Sequence, residues 1–215
     1  MQHLDAMSLG VYSYLEVHER VSRVESKPLV GATEMELQLW EQKNSPHVFP
    51  DDLKHFYYIT NGLSVKWFAT FCENPTLVGH FCLTSLQDVQ RLSITDLPSQ
   101  CRAADKHRLD LTKIAHKELV GFSLEASPKY GTVALVYLEE KPQIWFRDIR
   151  GSWSFLAKTF TNYYRMMIAH LGIISWQAIF SDTGVDPMQK PWLYLFIPDR
   201  MLLDEQQTQD EEQQE

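Results

Sequence analysis

The stretch FPDDLKHFYYITNGLSVKWFATF, Phe49 to Phe71, changes its period once, and that change points to the fold class. Pro50 suits a helix start, because its missing N–H costs nothing there. Asp51 and Asp52 follow, where a helix dipole favours negative charge. Leu53, Phe56, Tyr57 and Thr60 recur at helical spacing, and Asn61-Gly62 supplies a left-handed stop. Leu63, Val65, Trp67, Ala69 and Phe71 then alternate with Ser64, Lys66, Phe68 and Thr70, the period of a half-buried strand. The Thr60-Asn61-Gly62 turn is therefore read as a helix cap feeding a strand, not as a ligand site.

Working outward, Leu4 to Val17 has mostly helical spacing, and Val21 to Leu29 is a weak strand candidate. Thr33 and Glu36 form a capping box that opens a helix running to Lys43. Downstream, Leu77–Thr84, Leu119–Glu125, Thr132–Leu138 and Gln143–Ile149 read as strands, the last three joined by hairpin-length connections. TVALVYL, Thr132–Leu138, is apolar on both faces and belongs at the centre of a sheet. Ser85 to Leu92 reads as a short helical turn. Thr95 to His116 is polar and aperiodic, the best candidate for a surface insertion.

Phe155 to Leu171 is the clearest helix, with Leu156, Phe160, Tyr163, Tyr164, Met167, Ile168 and Leu171 on one stripe. Trp176–Phe180 and Pro187–Phe196 follow as short helices. Helices, then strands, then helices predict an α+β fold with a largely antiparallel sheet and packed helices. One domain is expected over residues 1–199, with an acidic Gln/Glu-rich tail over 200–215 that buries too little to fold.

The composition supports a packed core: 215 residues, 44% hydrophobic and 12% aromatic. Six of the 28 acids lie from Met201 onward without a Lys or Arg, so the rest of the chain is near neutral. No basic cluster tracks phosphates, and nucleic-acid binding is not expected. Three cysteines, Cys72, Cys82 and Cys101, make no disulfide framework and fit a reducing compartment. No signal peptide, spanning segment or lipidation motif is read, so a cytoplasmic chain without membrane attachment is expected.

Chemistry-bearing patterns are sparse. The histidines form no His-Glu-x-x-His and the cysteines no Cys-x-x-Cys. Neither a nucleophile elbow nor a phosphate-cradling glycine loop is present. No catalytic, cofactor or metal site is expected. The six tryptophans carry more information. Most belong to buried faces, but Trp40 and Trp145 sit among polar neighbours and are candidates for interface anchors.

Several motifs in order carry a resemblance. They are Trp40–Asn44, Pro50–Tyr57, Thr60-Asn61-Gly62 and Trp67, then Ile144–Asp148, Trp153–Leu156, Thr159–Arg165, His170–Gly172, Trp176-Gln177 and Lys190-Pro191-Trp192. Together, over roughly residues 4–198, they resemble the family of tubulin polyglutamylase complex subunit 2. The Pro-Asp-Asp-Leu helix ending in Asn-Gly also resembles the wider SUKH-like superfamily of toxin-immunity proteins and fungal cell-wall regulators. The resemblance implies an α+β binding fold and a non-catalytic adaptor; the alternative is a stand-alone protein-binding module with a different partner, as in the wider superfamily. Its implied partners are a tubulin-tyrosine-ligase-like catalytic subunit and sister subunits, at the microtubule cytoskeleton, centriole or ciliary base. Its motifs add Arg147 and Trp192 to Trp40 and Trp145 as candidate partner contacts. The acidic tail should be repelled by an acidic microtubule surface, so contact with tubulin is expected through the partners.

Overall fold

The computed structural model describes residues 2–213 apart from Pro28, Cys72, 111–113, 115–117, Pro128, Glu139 and Glu140. The expectations for Cys72 and for Asp210–Glu215, and parts of the 95–116 segment, lie outside the described residues or side chains.

Two antiparallel sheets organise the chain. The first has the order β1 (Val21–Ser26), β2 (Leu63–Phe71), β3 (Asn74–Leu83). The second runs β4 (Arg91–Ile94), β5 (Leu119–Ser127), β6 (Gly131–Tyr137), β7 (Gln143–Arg147), β8 (Trp153–Ala157). The α+β expectation holds. The alternation read in β2 is real: Leu63, Val65, Trp67 and Ala69 are buried, while Ser64, Lys66 and Phe68 are half-buried.

Apolar on both faces, β6 is the central strand of the second sheet. Val133 and Leu135 join the main core with Ile144 and Phe146 of β7. Ala134 and Val136 face the other way, into a smaller cluster with Trp145, Trp153, Ile94, Leu97 and Leu109. The segment read as a surface insertion is the lid of this second cluster. It carries a short helix, α5 (Leu97–Gln100), and a 3-10 helix (Ala103–Arg108). Its polar residues are anchors. Asp96 accepts from Arg147 Nη2 at 2.6 Å and from Trp153 Nε1 at 2.9 Å. Asp105 accepts from the Phe155 backbone N–H at 3.0 Å.

The main core is covered by α2 (Val11–Val17), α3 (Glu34–Lys43), α4 (Asp51–Ile59) and α6 (Phe160–Ala169). Thr33 makes the expected capping box at α3. At the end of α4, Gly62 takes φ 100°, and Thr60 donates its hydroxyl to the Gly62 carbonyl at 2.7 Å. Asn61 serves the cap differently: its Oδ1 accepts from the Leu86 N–H at 2.7 Å, tying the turn to the chain beyond β3. The turn is a structural junction, as read.

Three expectations are corrected. The helix over Phe155–Leu171 begins only at Phe160, where Thr159 Oγ1 accepts from the Asn162 N–H at 3.2 Å. Phe155 and Leu156 belong to β8, because backbone pairing with β7 outweighs a helical spacing that is fortuitous there. The helical turn over Ser85–Leu92 forms, with Val89 N–H on Ser85 O at 3.1 Å, but it ends sooner: Arg91 and Leu92 open β4, an edge strand too short to show a period and defined by its pairing with β5. The helix over Leu4–Val17 is two, α1 (Gln2–Met7) and α2, divided at Leu9 (φ 55°) and Gly10 (φ 76°).

The domain boundary at residue 199 is also corrected. After α7 (Lys190–Phe196), a helix α8 spans Pro198–Gln213. Met201 and Asp204 of α8 are buried in the domain, so at least the first two turns belong to it. The two sheets meet where β3 ends: the Thr84 N–H donates to the Leu124 carbonyl of β5 at 2.7 Å. The chain after α6 then adds to the outer edge of β3, with His80 N–H on Gly172 O at 2.7 Å and Ile174 N–H on Val78 O at 2.9 Å.

Candidate interaction surface

The four partner-contact candidates have different fates. Trp145 is 0% exposed, sandwiched between the second sheet and the 95–110 lid, with Phe155 edge-on at 5.6 Å. Trp40 is 9% exposed and stacks on Phe49 at 3.7 Å, with Phe122 edge-on at 4.7 Å. The aromatic surface expected around these two therefore does not form. On α3 the polar neighbours of Trp40 point away from it, whereas on β7 Gln143 and Arg147 share the face of Trp145 and the 95–110 lid closes over that face. Arg147 is exposed, but its guanidinium is committed to Asp96 and lies 5.8 Å from the Trp153 ring. It holds the lid over Trp145.

Trp192 is the candidate that faces solvent in part. It sits on α7 beside a groove of about 270 Å³ between α7, the start of β1 and the end of β2. Phe71 lies edge-on to Trp192 at 6.1 Å and is 62% exposed; Leu195 is 45% exposed. The rings continue in a strip: Trp192 to Phe196, Phe196 to His18 at 5.3 Å, and His18 to Tyr14 at 5.3 Å. Phe196 is anchored from below by Trp67 at 4.8 Å. Aromatic side chains held on a rigid base and open to water are the usual anchors of protein interfaces. Nothing in the described residues brings Arg147 to this strip.

Sequence reasoning missed Phe71. Its parity along β2 is that of the buried residues, yet it is exposed. The register of β2 slips between Trp67 and Phe68 against β3, and the strand outruns the core before the hairpin. The signal available was its place at the strand end, next to the turn.

A second cavity, also about 270 Å³, lies between the sheets and holds the titratable groups. Glu125 Oε2 accepts from Tyr163 Oη at 3.1 Å and from Gln177 Nε2 at 2.9 Å. Burial pushes its carboxyl up to about 7 against the pull of those two donors. Burial lowers His80 to about 4, helped by the Lys66 charge, and raises the Cys82 thiol to about 12. Ser64 Oγ lies 3.0 Å from His80 Nε2. That pair superficially suggests a hydroxyl and its base, but an imidazole held near 4 is a weak proton acceptor at neutral pH, and a thiol held near 12 is a poor nucleophile. Among the described residues no group of three His, Cys, Asp or Glu is placed to hold a metal ion. No helix among them is long and apolar enough to cross a membrane.

No family model matches the chain. Individual relatives do. Tubulin polyglutamylase complex subunit 2 of Rattus norvegicus is 31% identical over 215 residues, covering 91% of this chain and 72% of the rat protein. The Mus musculus protein of the same name gives the same identity and coverage. The Homo sapiens protein is 30% identical over 91% of this chain and 71% of its own length. With nearly the whole described fold inside that alignment, the chain belongs to the tubulin polyglutamylase complex subunit 2 family.

Proposed function

We propose that the chain is a non-catalytic adaptor subunit of a tubulin polyglutamylase complex, the assembly that adds glutamate side chains to tubulin tails. The observation that carries this reading is the 31% identity to proteins named as subunit 2 of that complex, maintained over 91% of the chain. The proposed partners are a tubulin-tyrosine-ligase-like catalytic subunit and the sister subunits, in the cytoplasm at the microtubule cytoskeleton, centriole or ciliary base. Tubulin is engaged through those partners.

The surface offered to a partner is the strip of Trp192, Phe71 and Leu195. Its exposed apolar area supports binding, and its buried footing on Trp67 keeps the cost of ordering it low. The test is affinity purification of the tagged chain from ciliated cells, with mass spectrometry and a tubulin-glutamylation assay on the eluate. Recovery of a ligase-like subunit with activity is the expected result. A repeated absence of that subunit overturns the reading.

A further inference from the structure

Glu125 stands out among the carboxylates of this chain. It lines the inter-sheet cavity, where β5 ends and the 172–177 loop crosses. Both of its hydrogen bonds, from Tyr163 and Gln177, arrive at Oε2. Oε1 has no partner among the described residues, and no Lys, Arg or His forms an ion pair with the carboxylate. Glu125 is half-buried, and the free Oε1 edge of its carboxyl is open to the cavity; a cation bound there would favour the ionised form over the protonated one that burial otherwise favours.

The rest of the cavity narrows what that complement is. His80 and Cys82 are held uncharged at neutral pH by burial. Lys66 is the cross-strand partner of His80 and bears on both of these groups, but makes no ion pair with Glu125. The walls also include Phe146 and Tyr130, and Lys129 Nζ, 5.1 Å from the Tyr130 centroid, shows that this ring accepts an ammonium; Trp176 is stacked by His170 and Tyr163 and does not offer its faces. A carboxylate without a cationic partner beside aromatic walls favours a cation over a neutral donor, because only the cation adds charge attraction to the hydrogen bond, and it repels anions. The volume, about 270 Å³, falls just short of the roughly 300–1,000 Å³ of small-molecule sites. It admits one aliphatic stem with a charged head and no large cofactor.

We propose that the inter-sheet cavity binds an alkylammonium group, with Glu125 as its counter-charge and Tyr130 and Phe146 around its stem. The source is either a lysine side chain of a partner subunit or a free primary amine. The first source rests on the adaptor reading; the binding chemistry does not.

The test uses the purified full chain and n-butylammonium chloride, followed by calorimetry and tryptophan fluorescence against potassium chloride at equal ionic strength. Glu125→Gln is the informative variant, because the amide oxygen still accepts from Tyr163 and Gln177 while the charge is gone. Saturable binding is expected, weakened at least about tenfold in Glu125→Gln and absent with n-butanol. Equal binding by the variant, equal binding of the alcohol, or no binding by the unmodified chain overturns the proposal. A second arm separates the sources in the assembled complex. If Glu125→Gln releases the partner subunits, or butylammonium competes them away, the occupant is a partner lysine; if assembly is unchanged while butylammonium binding is lost, it is a free amine. Should no complex be recovered at all, the adaptor reading fails and the calorimetric arm still decides the site.

Discussion

The Nε2 atom of His170 and the Oδ2 atom of Asp204 lie 2.7 Å apart across 34 residues of chain, with no exposed surface on either side chain. The other ring nitrogen, Nδ1, faces the Met166 carbonyl at 2.7 Å, and the imidazole stacks on Trp176 at 4.7 Å. Arg200 also reaches Asp204 from one turn earlier on α8. The contact fastens the C-terminal helix to the end of α6.

Asp204→Ala removes the acceptor and strands the buried imidazole. The expected cost is about 3–5 kcal/mol, the usual result of breaking a buried polar pair on one side. Urea denaturation gives the magnitude, and amide exchange should show α8 losing protection first. A loss near zero would mean that α8 does not dock.

Trp145→Ala and Trp192→Ala should separate cleanly. Trp145 is fully buried under the 95–110 lid, so its truncation is expected to destabilise the fold by about 3–5 kcal/mol. Trp192 stands half-buried on a groove, so its loss, combined with Phe71→Ser, should weaken co-purification of partner subunits while melting moves little. The pair of measurements is thermal melting and pull-down on the same preparations. Partner loss with Trp145→Ala under conditions where that variant is still folded would contradict this division.

Glu125 makes stability depend on pH with a definite sign. Its folded value of about 7 lies above the ordinary 4.5, so between these values the native state holds a proton that the unfolded chain has released. Stability from this group is therefore complete below 4.5 and is lost as pH rises towards 7, at no more than about 1.4 kcal/mol per pH unit. Glu125→Gln should flatten that part of the profile, gaining on the unmodified chain between pH 5 and pH 8. Chemical denaturation at both pH values checks it, and parallel profiles would remove Glu125 as the cause.

Gly79→Ala tests the joint between β3 and the main core. A Cβ at Gly79 would stand 1.9 Å from Trp67 Nε1, which donates to the Leu171 carbonyl at 2.8 Å. The indole must move and that hydrogen bond must lengthen. A loss of about 1–3 kcal/mol is expected, with a shifted tryptophan emission maximum. Unchanged emission and stability would show that the indole has room to yield.

Local chemistry determined much of this chain. The Thr33 capping box, the Gly62 stop and the alternation of β2 are set by neighbours within a few residues, and the sequence shows them. The two-faced apolarity of Thr132–Leu138 placed β6 at the centre of its sheet for the same reason: a strand with no polar face must be covered on both sides. Family membership was legible too, because motifs spread over the chain kept their order. Tertiary structure alone decided the rest. Only pairing with β5 makes a strand of Arg91–Ile94, and only pairing with β7 withholds Phe155 and Leu156 from the helix. Polar residues of the 95–110 segment look solvated until Asp96 and Asp105 find their partners 50 or more residues away, and that closure buries Trp145. The same holds at the C-terminus, where an acidic helix docks because one of its acids meets a buried histidine. Exposure, and with it the surface a partner can reach, is a property of contacts between distant segments, and no local pattern encodes it.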